Sequence, residues 1–292
     1  MTVSLGTVLE WGRMVKFSHS IFALPFALSG ATLAAAGHGI TARQVAWIVV
    51  AMVGARNAAM GFNRLVDQEY DALNPRTASR ALPRGALSRR AVWGFTAALA
   101  ALTIFAAFRL NALCGALSPV ALAIVLGYSY SKRFTWASHV WLGLGLAIAP
   151  VGGWLAIRGS FAPTPWVLAA AVLTWVAGFD TIYACQDVES DRRAGLRSIP
   201  ARFGIGRALV AARSLHAASV AALIGVGWLA GLHPAYWLGL GAIVVIMVWE
   251  HRMVRTHDLS RLGVAFFNMN AVVSVVYFAT VLASVALGEA SA

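Results

Sequence analysis

The stretch LNALCGALSPVALAIVLGYSYS, Leu110–Ser131, contains no charged side chain. A helix that crosses the hydrocarbon core of a bilayer needs roughly 20 consecutive residues of this kind. The chain has further charge-free stretches of comparable length, and each of them predicts one membrane span. They are Phe17–Ala42, Ala91–Phe108, Phe134–Ile157, Gly159–Phe179 and Leu262–Gly288.

Two other regions complete the predicted set of spans. Gln44–Asn63 is interrupted only by Arg56, and Ser214–Trp249 is divided into two helices by the sequence GLHP at 231–234. Backbone groups in hydrocarbon must be satisfied within the spanning segment, and these runs lack the short alternation of barrel strands. The sequence therefore predicts an all-α membrane bundle of nine transmembrane helices, which forms a single domain over residues 1–292.

Composition agrees with a membrane protein, because 60% of the residues are hydrophobic, 12% are charged and the mean hydropathy is +0.73. Soluble domains carry about 25% charged residues. Arg13 and Lys16 precede the first apolar run, as they would in a signal peptide. That run is longer than a signal core, so we expect an uncleaved first helix.

The net charge of +12 would suggest a nucleic-acid partner if the 23 basic residues were clustered on one surface. They are instead sorted by predicted membrane side: 19 lie at the N-terminus or in alternate loops, three lie in the opposite loops, and Arg56 lies within a helix. The positive-inside rule then places the N-terminus in the cytoplasm. We expect a multi-pass protein of a bacterial inner membrane with no nucleic-acid partner, and no protein partner is implied.

Two acidic pentapeptides stand out in this apolar chain, Asp67-Gln-Glu-Tyr-Asp71 and Asp187-Val-Glu-Ser-Asp191, and they hold six of its eleven acidic residues. They follow the second and sixth predicted helices, so both are expected on the cytoplasmic side. An even offset of four helices suggests an internal repeat that relates helices 1–4 to helices 5–8, with helix 9 added.

The spacing within the motifs predicts a metal site. Asn63, Asp67 and Asp71 share one helix face if the second helix continues through them, and Asp187 and Asp191 repeat the four-residue spacing. Carboxylate and amide oxygens favour Mg²⁺ or Ca²⁺ over Zn²⁺, and Mg²⁺ commonly shares its coordination with substrate phosphates. A diphosphate would complete such a site. Glu69 and Glu189 lie off this face, so the outer aspartates are the expected ligands.

Basic residues surround both motifs in numbers that suit phosphate oxygens. The membrane-embedded Arg56 falls in the same helical sector as Asn63 and Asp67. A helix face that carries these polar groups is expected to line a polar cavity, not to face lipid. The cations expected to touch diphosphate, with Asn63, are Arg56, Arg64, Arg76, Lys132, Arg133 and Arg192.

These motifs resemble the signatures of the UbiA superfamily of intramembrane prenyltransferases. Asn63, Asp67 and Asp71 match its first signature, and Asp187 and Asp191 match its second. The resemblance extends to nearly the whole chain, including the stretches Asn74-Pro-Arg-Thr, Tyr128-Ser-Tyr-Ser-Lys-Arg133 and Asp180-Thr-Ile-Tyr-Ala-Cys-Gln-Asp187.

The resemblance implies a helical bundle whose cavity opens sideways to lipid, with Mg²⁺ bridging the Asp motifs to a polyprenyl diphosphate. It also implies that the donor loses diphosphate and alkylates an aromatic ring. Tyr183 joins the four outer aspartates as a catalytic candidate, and Asp180, Lys16 and Asn74 are candidates for the acceptor cavity.

Two acceptor classes fit the resemblance. The flanking sequence is similar to the 4-hydroxybenzoate polyprenyltransferases of ubiquinone synthesis and to their relatives that prenylate 1,4-dihydroxy-6-naphthoate for menaquinone, and Ala265–Asn270 favours the second group. Outside the family, a cation-coupled transporter remains an alternative, although its binding residues are expected near the midplane. Another membrane phosphotransfer enzyme is the remaining alternative.

Overall fold

The computed structural model describes residues 5–15, 22–254 and 264–290, and this part of the chain is helical without any β-strand. Each apolar run closes its backbone hydrogen bonds within a helix, as lipid requires. The helices are α1 Leu5–Val15, α2 Leu24–Ala35, α3 Ala42–Val66, α4 Gln68–Leu73, α5 Arg89–Leu110, α6 Ala112–Phe134, α7 Ser138–Arg158, α8 Pro163–Ala184, α9 Val188–Arg193, α10 Ile199–Phe203, α11 Ile205–Leu229, α12 Ala235–Met253 and α13 Val264–Ala290.

Seven of the nine predicted spans are confirmed over the described residues. Seven helices there are long and apolar enough to cross a membrane, namely α3, α5, α6, α7, α8, α11 and α13. The other two predicted spans correspond to α12, with 19 residues, and to the shorter α2, with 12 residues. Positive φ at Gly37 and Gly39 turns the chain after α2, while residues 16–21 of the predicted first span lie outside the described residues.

Helix α8 lies at the centre of the bundle. Trp175, Val176 and Ile182 on α8 are almost completely buried, and the helix packs against α7 and α11. Phe26 of α2 contacts Trp175, with ring centroids 5.2 Å apart. Because lipid tails are as apolar as these side chains, close packing rather than escape from water holds the helices together. This close packing on several sides fixes the orientation of α8 within the bundle.

Helices α2 and α7 approach each other so closely that their contact requires glycine. A Cβ built on Gly153 would overlap the carbonyl oxygen of Ala27, and one built on Gly30 would overlap the carbonyl of Pro150. Small residues permit this backbone approach in membrane bundles. The contact places α7, which carries part of the cavity wall, directly against α2.

Gly153→Ala is therefore expected to destabilise the bundle by about 1–3 kcal/mol, because the rigid backbone of α2 must move to admit the methyl group. The adjacent Gly152 provides a matched control, since a Cβ there would meet nothing within 4 Å. Thermal unfolding in detergent measures both variants. Equal melting temperatures for Gly153→Ala and Gly152→Ala would contradict the proposed close contact.

Candidate active site

Both acidic motifs lie where a long helix breaks. Asp67 follows α3 with φ −95° and ψ 8°, and Asp187 ends the short 3₁₀ turn that follows α8, with φ −102° and ψ 4°. These angles fall near the bridge region, which turn and active-site residues often occupy. The expected continuous helix through the first motif is thus bent at Asp67. The bend keeps the four-residue spacing, because the Asp67 N–H donates to the Asn63 carbonyl at 2.9 Å and the Asp71 N–H donates to the Asp67 carbonyl at 2.7 Å.

Burial separates the outer aspartates from the central glutamates. Asp71, Asp187 and Asp191 are buried, whereas Glu69 and Glu189 are exposed. A buried carboxylate is costly unless charges or hydrogen bonds compensate it. The aspartate side chains that the spacing predicts as ligands therefore point inward, whereas both glutamates face solvent.

Asp67 is the most accessible of the four aspartates, with 30% of its side chain exposed. Burial raises the pKa of Asp67 to about 6, although the guanidinium of Arg133 acts in the opposite direction. Arg133 donates to Asp67 Oδ1 at 3.2 Å and to the Val66 carbonyl at 2.8 Å, and Asn63 Nδ2 donates to Asp67 Oδ2 at 2.7 Å. Asp67 thus has both a cationic and a neutral donor.

Asp71 is held by two arginines. Arg80 Nη1 lies 2.6 Å from Asp71 Oδ1 and 2.8 Å from Oδ2, and the buried Arg64 lies 3.7 Å from Oδ2. Thr77 donates its hydroxyl to the Asp71 carbonyl at 3.0 Å, which anchors the segment that carries Arg80. This segment, residues 74–88, joins α4 to α5 at the same end of the bundle.

Asp187 links the two motifs. Arg76 donates to it with a two-pronged guanidinium contact, Nε to Oδ1 at 3.0 Å and Nη2 to Oδ2 at 2.6 Å. Asn74 Nδ2 also reaches Asp187 Oδ1, at 3.4 Å, and Arg76 Nη1 donates to the Tyr183 hydroxyl at 3.2 Å. Residues that follow the first motif therefore bind the second, which confirms that both motifs lie at the same end of the bundle.

Adjacent residues at the end of α6 reinforce this link. Lys132 Nζ lies 3.3 Å from Asp191 Oδ2 in the second motif, while Arg133 binds Asp67 in the first. The Lys132 carbonyl also accepts a hydrogen bond from the Arg197 N–H at 2.7 Å, which ties α6 to the segment after α9. One helix end thus supplies a cation to each motif.

Two predicted residues stand apart from this network. Arg192 is exposed, and its Nε donates to the Ala201 carbonyl at 3.0 Å instead of to a motif carboxylate. Its assignment to the diphosphate set stays a prediction that no contact here supports. Lys16 lies outside the described residues.

An interior cavity of about 570 Å³ extends from the motifs into the bundle. Asn63, Arg64, Arg80 and Tyr183 line it at the end that carries the motifs. Most of the remaining wall is apolar, which suits a hydrocarbon chain. The apolar lining includes Phe22, Met52, Met60, Leu122, Val125, Leu142, Leu146, Ile148 and Phe179.

The deeper wall contains two charged residues, Arg56 on α3 and Asp180 on α8. Arg56 Nη1 donates to the Val15 carbonyl at 2.7 Å, and Arg56 makes no ion pair with any residue that the structure describes. It lies about two helical turns before Asn63. The structure therefore places Arg56 on the cavity wall below Asn63, and its assignment to the diphosphate set stays a prediction.

Asp180 has a partner that sequence reasoning missed. Oδ2 of Asp180 lies 2.6 Å from Nδ1 of His139, which is fully buried at the start of α7. The seven histidines are scattered in sequence, and their spacing predicts structural or solvated side chains. No local spacing could reveal this pair, because the fold brings together residues 41 positions apart.

The donor set agrees in kind with a hard cation such as Mg²⁺. The candidate ligands offer carboxylate and amide oxygens, which hard cations prefer. They are Asn63, Asp67, Asp71, Asp187 and Asp191. Within the described ranges, no three Asp, Glu, His or Cys residues converge on one point to hold an ion. Each aspartate is instead paired with arginine or lysine, so metal binding requires these cations to shift toward other anionic groups.

Comparison with known sequences identifies the family of this chain. The sequence profile of the UbiA prenyltransferase family matches residues 23–272. A 4-hydroxybenzoate octaprenyltransferase from Xanthomonas campestris pv. campestris is 36% identical over 234 residues, which span 80% of this chain and 76% of the relative. The protein of the same name from Nitrosospira multiformis is 29% identical over 238 residues, which span 80% of each chain.

Solved structures agree. The apo structure of a UbiA homolog from Aeropyrum pernix K1 has a TM-score of 0.83 and 36% identity, and it covers 91% of this chain and 98% of that one. A UbiA homolog from Archaeoglobus fulgidus bound to GPP and Mg²⁺ shares the fold, with a TM-score of 0.74 at 20% identity over 95% of this chain. The protein described here is an integral membrane prenyltransferase and belongs to the UbiA prenyltransferase family.

Proposed function

We propose that the protein transfers a polyprenyl group from a polyprenyl diphosphate to an aromatic acid in quinone biosynthesis, and that the reaction requires Mg²⁺. The observation that carries this proposal is a mostly apolar cavity with Asn63, Arg64, Arg80 and Tyr183 at one end. These residues adjoin the four motif aspartates, each of which is paired with an arginine or a lysine. The apolar wall suits the prenyl chain, and the charged end suits the diphosphate.

Five side chains are proposed to hold the metal: Asn63, Asp67, Asp71, Asp187 and Asp191. When bound, Mg²⁺ neutralises negative charge on the diphosphate and favours its departure. The diphosphate would also offer oxygens to the cations that now pair with the aspartates. We propose that they include Arg64, Arg76, Arg80, Lys132 and Arg133.

Prenyl transfer then follows from charge stabilisation at this end of the cavity. The allylic C–O bond breaks and its electron pair leaves with the diphosphate, whose charge the arginine and lysine side chains stabilise. An aromatic ring carbon supplies the electron pair of the new C–C bond and later loses its proton. The apolar cavity wall keeps water away from the cationic prenyl carbon.

The acceptor is proposed to be a hydroxylated aromatic acid. The Xanthomonas and Nitrosospira relatives are named for 4-hydroxybenzoate, which supports a phenolic acid. Arg56 supports it independently, because a cavity-wall guanidinium without a carboxylate partner among the described residues suits the carboxylate of an acceptor. 1,4-Dihydroxy-6-naphthoate, the menaquinone precursor suggested by the flanking sequence, has the same two kinds of group.

An acceptor screen tests this proposal. Purified protein is incubated with one long-chain polyprenyl diphosphate, Mg²⁺ and either 4-hydroxybenzoate, 1,4-dihydroxy-6-naphthoate or 1,4-dihydroxy-2-naphthoate, and products are identified by mass. We expect one acceptor to gain the prenyl mass while diphosphate is released. Failure of all three acceptors, or substrate accumulation in sealed vesicles without covalent change, would contradict it.

Removal of divalent cations is expected to reduce transfer by at least about 100-fold, because the aspartates alone repel the diphosphate. Chelator-treated protein is assayed before and after Mg²⁺ is restored, with circular dichroism as a control for folding. Full transfer in the presence of excess chelator would contradict the proposed metal requirement.

We also propose that the motif end of the bundle faces the cytoplasm of a bacterial inner membrane. Most basic residues lie at that end or in loops that return to it, in the pattern that the positive-inside rule associates with the cytoplasm. Cysteine labelling from either side of sealed vesicles tests this orientation, with Arg193→Cys at the motif end and Arg43→Cys at the opposite end.

A further inference from the structure

The His139–Asp180 pair lies at the cavity wall, outside the two acidic motifs. His139 is fully buried, and its Nδ1 lies 2.6 Å from Asp180 Oδ2. Asp180 lines the cavity and keeps 17% of its side chain exposed. A buried imidazole therefore supports a carboxylate that faces the cavity.

The surroundings of His139 define which nitrogen carries the proton. The backbone N–H of Ile199, at the start of α10, points to His139 Nε2 at a distance of 3.4 Å. A backbone N–H can only donate, so Nε2 is the acceptor and Nδ1 carries the hydrogen that is donated to Asp180. This hydrogen bond fixes the imidazole in one tautomer and orients the carboxylate.

The second oxygen of Asp180 remains available to a ligand. Oδ1 accepts no hydrogen bond from any side chain or backbone group in the described ranges, while Oδ2 is occupied by His139. Asp180 precedes Asp187 by about two helical turns and Tyr183 by about one. Asp180 lines the cavity about two turns below Asp187, where we expect an aromatic acceptor to sit beside the first carbons of the donor.

We propose that Asp180 is a catalytic residue that accepts a hydrogen bond from the ring hydroxyl of the aromatic acceptor, and that His139 is a positioning residue that holds Asp180 in place. This inference rests on the proposed function. It adds a specificity element to it, because a carboxylate at this position selects acceptors with a free hydroxyl next to the carbon that is alkylated.

The chemistry balances without any further reactant. As the C–O bond of the donor breaks toward the diphosphate, the ring carbon beside the hydroxyl forms the new C–C bond, and the hydroxyl proton passes to Asp180. The departing diphosphate then takes the ring proton of the resulting dienone, and Asp180 returns its proton to the oxygen, which restores the aromatic phenol. The net products are the prenylated phenol, diphosphate and one proton.

Two neighbouring features favour this role over a purely structural ion pair. Arg56 supplies a cation on the wall of the same cavity, so a phenolic acid can direct its carboxylate and its hydroxyl to different residues. A structural His–Asp pair would also be expected to bury both carboxylate oxygens, whereas Asp180 is accessible from the cavity. The geometry leaves one oxygen for a ligand.

The test compares Asp180→Asn with wild-type protein on two acceptors, the phenolic acid that the wild type uses and its methyl ether at the ring hydroxyl. In Asp180→Asn, the His139 N–H holds the amide oxygen and the amide NH₂ faces the cavity, so the shape of the site is conserved. A methyl ether can accept from this NH₂ but cannot donate to the native carboxylate.

We expect wild-type protein to favour the free hydroxyl by about 100-fold in kcat/KM, because the ether leaves a carboxylate oxygen unpaired. Asp180→Asn should reduce this preference to about five-fold or less, with an unchanged KM for the polyprenyl diphosphate. Equal losses on both acceptors, or a raised donor KM, would overturn the assignment of Asp180. If wild-type protein prenylates no phenolic acid, the proposed function fails instead.

His139 is tested by two amide substitutions that differ in where they place a donor. Asparagine puts its NH₂ near the position of Nδ1 and can still bind Asp180, whereas glutamine extends toward the position of Nε2. We expect His139→Asn to keep the preference for the free hydroxyl and His139→Gln to lose most of it, with thermal unfolding as the folding control. The same preference in both folded variants would contradict the positioning role.

Discussion

Asp187→Asn is expected to lower the rate of prenyl transfer by about three orders of magnitude. Asp187 receives the two-pronged contact from Arg76 and a hydrogen bond from Asn74, so its charge holds the two motifs together. Loss of one preorganised electrostatic contact at a reacting centre commonly costs 10²–10³ in rate, and Asp187 is also one of the proposed metal ligands. Steady-state kinetics with saturating donor and Mg²⁺ measures the effect.

Glu189→Gln is the matched control, because it removes one negative charge from an exposed position two residues after Asp187. We expect its rate to stay within about two-fold of wild type, since exposed charges contribute little through solvent. The pair Asp67→Asn and Glu69→Gln repeats the comparison in the first motif. If the glutamate variants lose as much activity as the aspartate variants, general loss of negative charge explains the effect and the proposed ligand set is wrong.

The contrast between aspartates and glutamates was available from sequence, because four-residue spacing selects one helix face. The helices themselves were equally accessible: Leu110–Ser131 predicted a span that the structure shows as α6, Ala112–Phe134. The glycine-proline break at 231–234 was also placed correctly between α11 and α12. These features depend on local hydropathy and on turn residues, which a single sequence displays directly.

The pairing of the charges was not accessible in the same way. Arg80 and Arg76 both follow the first motif, yet Arg80 binds Asp71 and Arg76 crosses to Asp187. At the bend itself, Asp67 accepts a hydrogen bond from Arg133 on another helix. His139 and Asp180 likewise meet only after α7 and α8 have packed together. Because these contacts are tertiary, they cannot be inferred from local hydropathy or residue spacing.

The internal repeat stays a prediction, although the structure supplies an argument for it. Asp67 and Asp187 open their motifs with nearly the same backbone angles, and each follows a long membrane helix. The two short helices that follow, α4 and α9, both contain six residues. A bend at the equivalent aspartate, followed by a short helix of the same length, is what duplication of one ancestral helical unit predicts.

Arg56→Gln is expected to remove the preference of the protein for an acceptor with a carboxylate. Arg56 lies on the cavity wall, and its hydrogen-bond partners among the described residues are the Val15 carbonyl and the neighbouring Asn57. A charge-assisted contact contributes roughly 1.5–3 kcal/mol, which corresponds to about 10-fold to 150-fold in affinity. We therefore expect wild-type protein to favour the acid over its primary amide by about 100-fold in kcat/KM, and Arg56→Gln by less than about five-fold.

The same variant separates the two roles that sequence and structure suggest for Arg56. Sequence spacing grouped it with the diphosphate-binding cations, whereas the structure places it below the motifs on the cavity wall. A diphosphate contact would raise the KM of the donor and leave the choice between acid and amide unchanged. An acceptor contact would do the reverse, and Arg56→Lys would then restore only part of the preference, because lysine keeps the charge but lacks the planar fork. A donor effect alone would return Arg56 to the diphosphate set and leave the acceptor carboxylate to be held elsewhere.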